Sequence, residues 1–93
     1  MSELTELQKK IIVYIFLVSI VEYLGGQRGR AEVSIYTLYE KLGASAYEID
    51  DATATKNEYW YTCSEHIGLK DEGREIASQI LMERLFSILP AKK

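Results

Sequence analysis

Four stretches of apolar residues at helical spacing and one stretch of strand character run along the chain, separated by glycines and hydroxyl residues. From Glu3 to Leu24 nothing interrupts a helix. Ser2 or Thr5 is placed to accept hydrogen bonds from its first amides, and Gly25 and Gly26 stop it. This first helix, residues 1–24, is apolar around almost its whole circumference between Ile11 and Val21, so it needs cover on more than one side. A polar loop from Gln27 to Arg30 leads to Ala31-Glu32-Val33, a candidate short strand. Ser34 then caps a second helix, 34–43, in which Ile35, Leu38 and Leu42 recur at helical spacing and Gly43 suits the left-handed position past its end.

Ser45 caps a third helix, assigned to 45–57, with Tyr47, Ile49, Ala52 and Thr53 facing inward. Glu48, Asp50 and Asp51 fall in its first turns, where carboxylates favour the positive end of the helix dipole. Residues 58–70 read as a hairpin: Glu58 to Cys63 is rich in aromatic and β-branched side chains, Ser64-Glu65-His66 turns, and Ile67-Gly68-Leu69 returns. A last helix, 71–89, carries Ile76, Ala77, Ile80, Leu81, Leu85, Phe86, Ile88 and Leu89, and Pro90 follows it. At about 100° per residue these side chains cover more than one face, and the spare face points to a partner.

Length and composition narrow the picture. Ninety-three residues make one domain, 1–93, and a chain with 47% hydrophobic and 27% charged residues folds. One cysteine and one histidine are too few for an intrachain disulfide or a Cys/His zinc cage, so no metal is expected. The run from Ile11 to Val21 is about half of the ~20 apolar residues that a membrane span requires. Glu22 closes that run, and Glu3 and Glu6 spoil the basic start of a signal peptide. The expectation is a soluble cytoplasmic protein in which Cys63 stays reduced or, in a hyperthermophile, joins two chains.

Catalytic chemistry finds little to build on. Cys63 and His66 invite a thiol–imidazole reading, yet neither a third orienting group nor a Gly-rich oxyanion turn accompanies them. The segment Gly25 to Arg30 lacks the Gly-Lys-Ser/Thr ending of a phosphate loop and follows a helix instead of a strand. Asp50, Asp51, Asp71 and Glu72 lack the ligand spacing of a calcium loop. No enzymatic role and no cofactor are expected.

The order helix, short strand, helix, turn, helix, hairpin, helix resembles a winged helix-turn-helix domain. Within it, Val33 to Gly43 looks like the second helix of that fold. Leu69-Lys70-Asp71-Glu72-Gly73-Arg74-Glu75-Ile76-Ala77 resembles the L-T-x-x-G-R-x-x-A segment that closes the wing and opens the last helix in MarR- and PadR-like regulators, with Lys70 in place of the threonine. Small winged-helix proteins of archaeal viruses and plasmids are similar in size. A second departure is that Lys56-Asn57-Glu58 runs straight into Tyr59-Trp60-Tyr61, without the leucine-rich turn and glycine usual before the wing.

The fold class implied is mainly α with a small β-hairpin: a winged helix-turn-helix with long N- and C-terminal helices. The resemblance implies that the third helix reads base edges in the major groove of double-stranded DNA. Thr53, Thr55, Lys56 and Asn57 would then contact bases, Ser45 and Tyr47 would hold phosphates, and Arg28 and Arg30 would add charge. The excess apolar surface of the outer helices predicts a homodimer through Ile12, Ile15, Phe16, Ile80, Leu81, Leu85 and Ile88, with Cys63 forming an intersubunit disulfide if it lies near the symmetry axis.

Charge tempers this expectation. The chain carries a net −3, and between Tyr47 and Glu75 eight acidic residues face only Lys56, Lys70 and Arg74, a local −5. Duplex affinity comes largely from neutralising phosphates. The expected function is a dimeric transcriptional regulator that binds DNA weakly or conditionally; the alternative is a winged-helix protein-interaction module with an acidic surface.

Overall fold

In the computed structural model, which describes residues 4–26, 31–55 and 57–88, hydroxyl side chains mark where helices begin. The elements run α1 (Glu6–Leu24), β1 (Glu32–Ser34), α2 (Ile35–Lys41), α3 (Ala46–Ala54), β2 (Trp60–Cys63), β3 (His66–Leu69) and α4 (Asp71–Ile88). The Thr5 hydroxyl accepts from the Gln8 amide at 3.1 Å while the Gln8 side chain accepts from the Thr5 amide at 3.0 Å. Ser45 and Glu48 form the same reciprocal box at the start of α3, at 3.1 and 2.9 Å. Each box satisfies two amides that have no partner within the helix. Ser34 caps α2 by accepting from the Tyr36 amide at 3.2 Å. Gly43, just past α2, takes the left-handed φ of 68° that its position requires.

Two expected boundaries shift. The first helix starts after Thr5, so the capping hydroxyl is Thr5 and residues 4 and 5 lie outside the helix. The third helix ends at Ala54, with Thr55 already extended at ψ 124°, and side chains of other elements supply donors for two of its last carbonyls. A larger difference concerns the hairpin. β1 pairs antiparallel with β3, Val33 opposite Ile67, and β2 pairs with the other edge of β3, giving a three-stranded sheet in the order β1-β3-β2. The turn is Ser64-Glu65, with Ser64 at φ 56°, and His66 already belongs to the strand.

Ile67, on the central strand, is fully buried among Ile11, Ile12 and Ile15 of α1, Val33, Leu38, Ile49, Trp60 and Ala77. Every described element therefore contributes to one core. Gly73 explains how α4 comes so close: a Cβ there would fall onto the backbone carbonyl of Tyr59, and the Lys70 amide donates to that same carbonyl at 2.9 Å. On the sheet, the Tyr61 ring lies across Gly68, its cross-strand partner, where a Cβ would meet the ring. α1 and α4 lie side by side in opposite directions. Glu6 meets Arg84 at 3.4 Å at one end, while Ile20 and Tyr23 face Leu69 and Arg74 at the other.

Replacing Gly73 by alanine forces the α4 backbone away from Tyr59, a backbone clash that rotamer changes cannot relieve. We expect Gly73→Ala to destabilise the fold by about 3 kcal/mol, the upper part of the usual overpacking range. The midpoint of urea denaturation measures it, and an unchanged midpoint would show that the helix and strand do not approach this closely.

Candidate nucleic-acid interface

α3 is held by its C-terminal end. Buried Gln8 of α1 donates its side-chain amide to the Ala52 carbonyl at 3.2 Å, and the Trp60 indole N–H of β2 donates to the Thr53 carbonyl at 3.3 Å. Lys70 then donates its ammonium to the Asn57 carbonyl at 2.9 Å. The Asn57 side-chain oxygen accepts from the amides of Tyr59 and Trp60, at 2.8 and 3.2 Å, and so shapes the turn from α3 into the sheet. Ile49, Ala52 and Thr53 pack inward as a result, and Tyr47, Glu48, Asp50, Asp51, Ala54 and Thr55 are left exposed.

The outward face of α3 is acidic, and most of its carboxylates have partners. Asp50 accepts from the Tyr39 hydroxyl of α2 at 2.6 Å. That hydrogen bond, aided by desolvation and the nearby charge, pushes the Tyr39 hydroxyl up to about 12. Tyr36 packs edge-on against Tyr39, ring centres 5.6 Å apart, and donates to Glu65 in the hairpin turn at 3.1 Å, which raises the Tyr36 pKa as well. The Ile35 amide donates to the Glu65 carbonyl at 2.8 Å, so the turn is fastened to the start of α2. Glu48, accepting from the Ser45 backbone and hydroxyl, is held below the ordinary carboxylate range. Among the described residues Asp51 is exposed and makes no hydrogen bond or ion pair.

The residues expected from the sequence are distributed unevenly over this arrangement. Ser45, Tyr47 and Thr55 are exposed on or beside α3. Tyr47 was expected to face inward, but it is 79% exposed because Ile49 and Ala52 occupy the core side of the helix. Thr53 faces inward, as its helical spacing implies, and this overturns the base contact that the resemblance assigned to it. It is buried and its hydroxyl donates to the carbonyls of Ile49 and Asp50, so it presents nothing to a groove. Asn57 is half-buried with its side-chain oxygen committed to the turn. Arg28, Arg30 and Lys56 lie outside the described residues.

Of the expected dimer contacts, Ile12 and Ile15 are enclosed in the chain's own core and are not interface residues. Phe16, Ile80 and Leu81 are half-buried, Phe16 and Ile80 packing against the core, while Leu85 and Ile88 are exposed. Sequence reasoning passed over Val21, Tyr23 and Leu24 at the end of α1 and Met82 and Phe86 on α4, all exposed. The overhang of each helix past its neighbour would have signalled them, but it depends on how the two helices are offset. Cys63 is exposed at the end of β2, opposite His66.

Two hollows flank these elements. One, of about 330 Å³, is a largely apolar trough among α1, β3 and the start of α4, lined by Ile15, Phe16, Ile20, Leu69 and Arg74. The other, of about 290 Å³, lies where the end of α3 meets β2, with Thr55, Asn57, Trp60, Thr62 and Lys70 in its wall. Among the described residues no three His, Cys, Asp or Glu side chains converge as a metal site, and no helix is long and apolar enough to cross a membrane.

The Tyr39–Asp50 pair has a pH signature. The folded state holds the Tyr39 proton more tightly than the unfolded chain does. The stability it contributes is therefore present below pH 10, the ordinary tyrosine value, and is lost as the pH rises through about 12. The difference in denaturation midpoint between wild type and Tyr39→Phe should shrink over that interval, and Asp50→Asn should bring the Tyr39 titration, followed by absorbance, back toward 10. A gap that stays constant through the interval excludes the coupling. Compared with known proteins, the chain matches no family model, no curated protein and no solved structure.

Proposed function

We propose that the chain is a winged helix-turn-helix protein that binds double-stranded DNA as a homodimer inside the cell, acting as a transcriptional regulator by occupying a promoter, with no catalytic role. The observation that carries this reading is the order of elements. Two short helices, α2 and α3, are joined by the turn from Leu42 to Ser45, and an antiparallel sheet in the order β1-β3-β2 follows at the end of α3. In such a frame α3 meets the major groove and its flanks meet phosphates.

The exposed groups of α3 suit selective contact better than tight binding. Tyr47 and Thr55 supply a ring, a methyl group and hydroxyls, and Asp51 is an acceptor that matches the amino group of cytosine. The acidic side chains repel phosphates, so affinity rests on a small number of cations. The hairpin turn, tied to α2 through Tyr36 and Ile35, stays close to the body and does not extend as a long wing.

Dimerisation follows from the ends of the outer helices. Val21 and Leu24 are 68% and 78% exposed at the end of α1, and Leu85, Phe86 and Ile88 are 51%, 66% and 75% exposed at the end of α4. A second copy related by a two-fold axis would cover both ends and set two copies of α3 about one helical turn of DNA apart.

The acidic face of α3 favours a second reading, in which it docks a basic protein segment. A duplex-binding titration at low and physiological salt separates the two. We expect binding at low salt that weakens as salt rises, and Asp51→Asn to raise affinity for duplexes of any sequence while relaxing base preference. Failure to bind any duplex at low salt, together with binding of a lysine-rich peptide that Asp51→Asn abolishes, would establish the protein-docking reading instead. For the dimer, sedimentation at micromolar concentration should give two chains for wild type and one for Phe86→Glu; a monomeric wild type rejects it.

A further inference from the structure

We infer that the hollow between the end of α3 and β2 is a seat for a backbone phosphate of double-stranded DNA, with Lys70 as its cation. The inference rests on the DNA-binding reading and assigns it an anchoring point away from the acidic face of α3. Lys70, Thr55 and Thr62 line the hollow together with the buried Trp60. No carboxylate is among the lining residues. In a chain of net charge −3, a concavity whose lining includes two threonines and a lysine but no acid, next to the helix that would read bases, offers an anion a cation and hydroxyl donors.

The ammonium is also pre-positioned. Lys70 donates to the Asn57 carbonyl at 2.9 Å, a neutral acceptor that fixes the side chain without cancelling its charge. A lysine ammonium has three donors, so others stay available to a ligand. Two of the backbone carbonyls lining the hollow already have donors: Thr53 accepts from Trp60, and Asn57 from Lys70 itself. Because α3 lies along one side of the hollow, a phosphate seated there fixes how far that helix enters the groove.

Three other cations among the described residues lie elsewhere. Lys9 and Arg84 both lie 3.4 Å from Glu6 at the far end of the α1–α4 pair. Arg74 lines the apolar trough on the α1 side.

The test is the salt dependence of duplex affinity for wild type, Lys70→Gln, Lys70→Arg and Lys10→Gln. Glutamine retains a donor for the Asn57 carbonyl, and Lys70 is exposed, so the fold is kept. Lys10, exposed on α1 outside the hollow, controls for loss of one charge anywhere on the surface. With one contact in each of two subunits, Lys70→Gln should reduce the slope of log affinity against log salt by about 2 and weaken binding equally across sequences. Lys70→Arg should keep the wild-type slope, and so should Lys10→Gln. If wild type binds but Lys70→Gln leaves the slope unchanged, or Lys10→Gln reduces it as much, the seat is wrong and the DNA reading stands. If wild type binds no duplex at about 50 mM salt, both fall.

Discussion

The last carbonyls of α3 have no partners within the helix, and the position of that helix depends on who supplies them. A buried carbonyl left without a donor costs about 1–3 kcal/mol, a large fraction of the stability of a small domain. Here the donors come from two directions, Gln8 of α1 and Trp60 of β2. Gln8 does this while also closing the capping box of its own helix with Thr5, so one side chain ties the start of α1 to the end of α3. The two bonds fix the end and the rotation of α3 together, and so decide that Ile49 and Ala52 go to the core while Tyr47 and Asp51 go to solvent.

The same economy governs the outer helices. α1 is apolar on nearly every side, and the molecule covers it in two layers: Ile11, Ile12 and Ile15 meet the sheet and the small helices, while Phe16 and its neighbours meet α4. α4 approaches because Gly73 lets its backbone rest against Tyr59. The two helices are long and antiparallel, and their most exposed apolar side chains, Val21 and Leu24 on one and Phe86 and Ile88 on the other, lie toward their C-terminal ends. An interface built there leaves the core intact, which is why Ile12 and Ile15 could belong to the core while Leu85 and Ile88 do not.

Local signals were legible in the residue order, and long-range ones were not. Thr5, Ser34, Ser45 and Gly43 mark helix ends because a cap is a contact within three or four residues of its own amides. The mainly helical fold with a small antiparallel sheet followed from those caps and the aromatic run at Tyr59 to Tyr61. The place of β1 did not, since three residues carry too little alternation to name their partner strand. Thr53 read as inward by helical spacing and as a base contact by resemblance, and its hydrogen bonds to the Ile49 and Asp50 carbonyls go with the first. The apolar circumference of α1 hid which of its isoleucines are inside, because a helix without a polar stripe offers no phase. Gly73 was visible as part of a motif, but its reason, the Tyr59 carbonyl, is a contact between elements. Lys70 was visible only as a departure from that motif, and its place in the hollow depends on where α3 ends.

What remains distinctive about the face around α3 is that its acidity is structural. Asp50 and Glu65 each accept from a tyrosine of α2, so two of the carboxylates brace α2 against α3 and the hairpin turn, while Glu48 fixes the start of α3 through its capping box. Removing those charges to improve a fit to phosphates would loosen the bracing, so the negative face is a consequence of how the small helices are held. Asp51 is different, because among the described residues it braces nothing. A carboxylate free of structural duty, on the exposed side of a helix fixed at its far end, is the group whose chemistry is open to a partner. Its chemistry suits a partner that offers a hydrogen-bond donor or a cation; on the DNA-binding reading that would be the cytosine amino group.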